Sequence, residues 1–388
     1  RAHYVADSTI DLGGLPVFPG FYDPHAHFLG LGQVLDQANL VETATYDEVI
    51  DRLKTFRQNH PDALWLTGRG WDQNDWPGRQ FPTKDSLDQL FPDVPVYLTR
   101  IDGHAALANQ KALNLAGITA QTVVPGGSIG HDAKGQPTGL LVDNARALVA
   151  RLIPEPSAAE ATMLLKQAEQ ECLALGLTSL ADAGLDRRDI ERIDSLQHAG
   201  QLRLRLNCMV SATPDNLGYY LKRGPYHTDY LTVNAFKVYA DGALGSRGAC
   251  LLAPYSDSPH ERGFLLQSAA TYRELARRIA ASPFQMNTHA IGDSANRLLL
   301  DICGEALRGQ RNRRWRIEHA QVVTAADMAK FGRFGLVPSI QPAHATSDMY
   351  WAGERLGPAR LKTAYAYKNL LQSAGRVALG SDFPVEYL

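Results

Sequence analysis

The chain has 388 residues, 45% of them hydrophobic and 21% charged, with a formal net charge of −2. That balance gives a globular protein with a large core and excludes wholesale disorder. With no basic run or basic–aromatic stripe it also argues against a nucleic-acid partner, and with no stretch of ~18 apolar residues it argues against a membrane-spanning helix.

Strand candidates come first at 15–23, "LPVFPGFYD", then at 64–70 and 94–100. They continue at 177–184, 204–212, 232–242 and 284–292, and end at 315–321, 336–342 and 376–382. Several are apolar on both faces, as parallel strands covered by helices are. Helices with readable starts lie between them. Thr45 with Glu48, Ser157 with Glu160, and Thr271 with Glu274 read as capping-box pairs, and Thr324 opens a helix that Gly335 stops. After Ser157, Leu164, Ala168 and Cys172 recur at helical spacing, and Gly176 ends the run.

This alternation predicts an α/β fold of βαβ units. A closed (β/α)8 barrel is one solution and a doubly wound sheet the other. No GxGxxG or Walker motif follows the first strand, which weakens a nucleotide-binding version. Residues 117–143 break the rhythm with glycines and prolines and predict an irregular insertion, a hairpin beside the barrel mouth. Cys172, Cys208, Cys250 and Cys303 lie far apart with no CxxC pair, which fits buried residues in a reducing, cytoplasmic setting.

Ionisable residues cluster at the ends of the apolar strands. His25 and His27 stand two apart, so on an extended segment they share a side. Lys237 follows in "FKVYADG", His289 in "NTHAIGD", His319 in "IEHAQ" and Asp382 in "GSDFP". Singly, each has a plain reading: a satisfied strand-end histidine, Lys237 paired with Asp241, Asp382 capping a helix. Together, at the C-terminal ends of barrel strands, they predict a metal centre. Imidazole and carboxylate ligands suit Zn²⁺ and related ions, which lower the pKa of bound water to about 7.

The wording then resembles the metal-dependent amidohydrolase superfamily, and most of all its YtcJ-like branch (amidohydrolase family 3). "PGFYDPHAH", "GWDQNDW", "RIDGHAALAN", "GGSIGHDAKGQPTGLL", "FKVYADGALGSRGA", "THAIGD", "RIEHAQ" and "ALGSDFPV" occur in that order across the chain. The resemblance implies a TIM-like barrel holding one or two divalent metals, most readily Zn. It implies that His25, His27, Lys237, His289, His319 and Asp382 are ligands. Lys237 falls on a lysine often carboxylated to bridge two metals, and Asp382 on an aspartate that shuttles protons. His104, in "RIDGH", is expected to face substrate, and Trp71, Asp75 and Trp76 to shape its pocket.

The implied reaction is hydrolysis of an amide-type C–N bond in a small molecule. Lactone or ester hydrolysis, decarboxylation or isomerisation on the same barrel are alternatives, as is a catalytically silent binding barrel. A homodimer is a further expectation. The family usually carries flanking β-strand segments that form a small sandwich. Here the sequence starts at "RAHYVAD", without a methionine, and stops six residues after Asp382. The expectation is a single hydrolase barrel, 1–388, from which the sandwich segments are largely missing; a removed leader stays open.

Overall fold

The computed structural model describes residues 7–387; residues 1–6 and Leu388 lie outside the description. Eight parallel strands form a barrel in chain order: β1 (Phe21–Ala26), β2 (Leu177–Leu185), β3 (Arg205–Ser211), β4 (Leu231–Tyr239), β5 (Gln285–Ala290), β6 (Arg316–His319), β7 (Val337–Ile340) and β8 (Ala378–Leu379). The ring is nearly closed. Asp382 N donates to His25 O at 2.8 Å and His27 N to Phe383 O at 2.8 Å, joining the segment after β8 back to β1.

Helices alternate with these strands and bury their apolar faces on the barrel's outside. Leu180, Cys208, Phe236, Met286 and Ile317 point outward into that shell. Ala181, Ala183, Met209 and Ala235 fill a small inner cluster. The caps at Ser157 and Thr324 form as the sequence predicts. The helix expected to open at Thr271 starts earlier: Ser268 accepts from Thr271 N, and the helix runs Ala269–Ala280. Ser268 is also a good cap, and the Thr271–Glu274 spacing hid it.

Strand–helix alternation continues into a second sheet between β1 and β2. Its strands, in spatial order, are Ala38–Asn39, Leu66–Trp71, Val96–Arg100, Ala105–Ala108, Pro137–Asp143 and Gly127–His131. The segments 64–70 and 94–100 therefore belong here and not to the barrel. Both faces are covered: Leu98 and Leu107 enter one apolar cluster, while their neighbours Tyr97 and Ala106 enter another. The glycine-rich stretch forms an antiparallel hairpin, Gly127–His131 with Pro137–Asp143, at the sheet's edge.

Candidate metal centre

The C-terminal ends of the barrel strands bring the predicted residues to one place. His25, on β1, is fully buried, and His27 stands one residue past the strand, 28% exposed. Their Nε2 atoms lie 3.4 Å and 3.1 Å from the same oxygen, Asp382 Oδ1. The shared side expected from the two-residue spacing is thus present. Ligating atoms of His25, His319 and Asp382 all fall within 4.8 Å of one another. Lys237, 1% exposed, extends its Nζ to 3.3 Å from His25 Nε2 and lies 4.9 Å from the centre of the Tyr239 ring.

Two residues of this cluster sit in left-handed backbone: His319 at φ 69° and Asp382 at φ 66°. Few non-glycine residues adopt this region, and strain of that kind clusters at functional sites. At His319 it has a direct use. Period two would send Glu318 and His319 to opposite faces of β6. The turned backbone lets Glu318 bond to His25 while the His319 ring packs 5.0 Å from the His25 ring.

The donor set fits a metal ion. Asp382 Oδ1 is buried and close to two imidazole nitrogens, yet makes no well-formed hydrogen bond. Buried polar atoms rarely stay unpaired without a reason. The far sides of two imidazoles are occupied: His25 Nδ1 bonds to Glu318 Oε2, and His319 Nδ1 donates to Gln341 Oε1 at 2.8 Å. His25 thereby turns Nε2 toward Asp382 and Lys237, as outer partners do when they orient a histidine toward a metal.

Electrostatics agree. Burial lowers the pKa of His27, His289 and His319, keeping them neutral, the form that ligates. Burial and Lys237 also press on His25, but Glu318 and Asp382 outweigh them and raise it. Burial opposes ionisation of Asp382, yet His25 and His27 hold its carboxyl well below the usual carboxylate range. Burial lowers the Lys237 ammonium.

His289 is beside this cluster, its ring 4.6 Å from that of His319 and its Nε2 3.4 Å from Gly242 O. Asp241 does not pair with Lys237. Its carboxylate accepts from Cys250 N, Ile291 N and Gly292 N, tying the loop after β4 to the end of β5. His104 arrives from the second sheet. Its Nδ1 bonds to Asp143 Oδ1 at 2.6 Å, and its ring lies 4.9 Å from His289. Trp71 is a core residue of the second sheet, 1% exposed, with Nε1 donating to Leu98 O. Trp76 donates to Thr43 O and, with Asp75, borders an open cleft that also includes Arg79, Arg247 and Arg355.

Sequence reasoning missed Glu318, Asp23, Gln341 and Asp143. Asp23 accepts from His25 N and from Ser381 N and Oγ, so it binds β1 to the segment after β8 that carries Asp382. Asp23 and Glu318 each lie within two residues of a predicted ligand, which is the one signal that marks them. Gln341 and Asp143 carry no such mark.

A family model described as the amidohydrolase family matches residues 8–388. The chain belongs to the amidohydrolase family. It is 34% identical to the amidohydrolase-type protein YtcJ of Bacillus subtilis, over 97% of this chain and 72% of that one. It is 32% identical to the protein LONG AFTER FAR-RED 3 of Arabidopsis thaliana, over 98% of this chain and 68% of that one. It is 27% identical to an N-substituted formamide deformylase of Arthrobacter pascens, over 97% and 72% of the two chains. Among solved structures, a metal-dependent hydrolase of Pyrococcus horikoshii matches with a TM-score of 0.72 at 27% identity, over 95% of this chain and 71% of that one. This amidohydrolase thus has a barrel and a His/Asp cluster that support a hydrolase using a divalent metal. Among the described residues no helix is long and apolar enough to cross a membrane.

Proposed function

We propose that this amidohydrolase cleaves an amide-type C–N bond of a small molecule, using one or two zinc ions held by His25, His27, Lys237, His289, His319 and Asp382. The observation that carries the reading is the convergence of His25, His319 and Asp382 on one point, with Asp382 Oδ1 left without a hydrogen bond. Three or four imidazoles with a carboxylate suit zinc. Bound there, the metal supplies a Lewis acid for the carbonyl oxygen and acidifies water.

The chain's own groups do the rest. Asp382, ionised and at the centre of the cluster, takes a proton from the attacking water and returns it to the departing nitrogen. Lys237 is buried and its ammonium disfavoured, so its neutral amine adds carbon dioxide, releases one proton and becomes a carbamate. An ammonium that repels cations thereby becomes an anionic oxygen ligand. His104, fixed by Asp143 through Nδ1, contacts substrate with its other edge. The formamide deformylase relative supports the C–N assignment. The four cysteines are unpaired, which supports a reducing compartment, and we assign the protein to the cytoplasm.

The test is a hydrolysis screen of N-acyl and N-formyl compounds on zinc-loaded full-length protein. Turnover of at least one amide series supports the reading. Turnover confined to lactones or esters would overturn the C–N assignment.

A further inference from the structure

We propose that Arg316 is a positioning residue for the metal centre, acting on His25 through Glu318. Arg316 opens β6 and Glu318 follows two residues later on the same face. The guanidinium Nε lies 2.6 Å from Glu318 Oε1, and the other oxygen, Oε2, bonds to His25 Nδ1. The same guanidinium donates from Nη2 to Pro24 O at 3.1 Å. Pro24 precedes His25, so Arg316 holds both the peptide that carries His25 and the carboxylate that turns its ring.

The bracket sits in an unusual place. Barrel interiors are ordinarily filled by layers of apolar side chains. Here Glu318 and His25 are fully buried and the Arg316 side chain is 12% exposed, beside the small cluster of Ala181, Ala183, Met209 and Ala235. A buried ion pair is a poor source of stability, because apolar groups of similar volume often serve as well. Its value here is directional. With Oε1 held by Arg316, Oε2 is fixed, His25 keeps its proton on Nδ1, and Nε2 faces the cluster with its lone pair. Outer partners of this kind typically change metal affinity by about 10–100-fold when removed.

The inference rests on the metal-hydrolase reading only for what Nε2 faces. The test is therefore made with and without metal on the full chain. In metal-free protein labelled with ¹⁵N-histidine, at a pH high enough for His25 to be neutral, NMR should show His25 as a single Nδ1–H tautomer, and Arg316→Met should give a mixture. Zinc titration against a chromophoric chelator should show about 10–100-fold weaker binding for Arg316→Met and for Glu318→Gln. The double variant should lose less than the product of the two single losses, since both break one chain and only the Pro24 contact is separate. Arg316→Lys, which keeps a cationic donor, should recover most of the affinity, and Arg316→Gln, with the same loss expected as for Arg316→Met, serves in its place if that variant does not fold.

A folded Arg316→Met protein with an unchanged tautomer and zinc affinity within twofold of wild type would overturn the proposal. So would a double variant whose loss is the product of the single losses. Should the wild type bind no zinc, the metal reading falls, while the tautomer measurement still decides the bracket.

Discussion

Replacing Gly380 by alanine should damage the fold and the metal centre together. Gly380 follows β8 and passes directly against β1. A Cβ there would lie 2.7 Å from His25 Cβ, 2.8 Å from His25 N and 2.9 Å from His25 O. Ordinary contact begins near 3.4 Å, so the two segments must part by about 0.5–0.7 Å. The displaced atoms matter. His25 O accepts the closing bond from Asp382 N, and the His25 ring faces Asp382. Overpacking of this kind costs about 1–3 kcal/mol. Urea unfolding of metal-free Gly380→Ala should show that loss, and zinc affinity should fall with it. Gly218→Ala is the control. Gly218 lies inside the helix Pro214–Arg223 with nothing within 4 Å of an added Cβ. There alanine should stabilise by up to about 1 kcal/mol. If Gly380→Ala proved as stable as Gly218→Ala and bound zinc normally, the account of barrel closure at the site would be wrong.

Asp382→Asn should abolish most turnover while keeping much of the zinc, because the imidazoles remain; near-normal kcat would remove Asp382 as proton carrier. Lys237→Ala should lose zinc by elemental analysis, with partial recovery in short carboxylic acids; full metal content without them would contradict a lysine-derived ligand. A pH effect is expected at Asp348, in metal-free protein. Burial pushes the Asp348 carboxyl up to about 7, against the influence of His344 and the bond from the Tyr365 hydroxyl. The folded protein then keeps this proton at pH values where the unfolded chain, with a pKa of about 3.9, has lost it. Stability should therefore fall as pH rises from about 4 to about 7, by at most about 1.4 kcal/mol per pH unit. Asp348→Asn lacks that slope, so its stability relative to wild type should improve from pH 5 to pH 8 in thermal unfolding; a constant difference would show that Asp348 is not held protonated.

The barrel and the gathering of His25, His319 and Asp382 were legible because both rest on short-range rules. Period two places His25 and His27 together, and barrel chemistry gathers at strand ends, where Lys237, His319 and Asp382 stand. The second sheet was hidden because alternation does not say which strands pair. The partner of β1 is β2, about 150 residues on, and the "AALA" strand at Ala105–Ala108 has little β-propensity to announce it. Glu318 was hidden for a different reason. Alternation places it opposite His319, and only the positive φ at His319 reverses that.

The most direct test of the account is anomalous diffraction at the zinc edge from active, zinc-loaded crystals. The account predicts a peak about 2.0–2.2 Å from His25 Nε2, from a His319 ring nitrogen and from an Asp382 oxygen. An active crystal with no anomalous peak among these residues would contradict it.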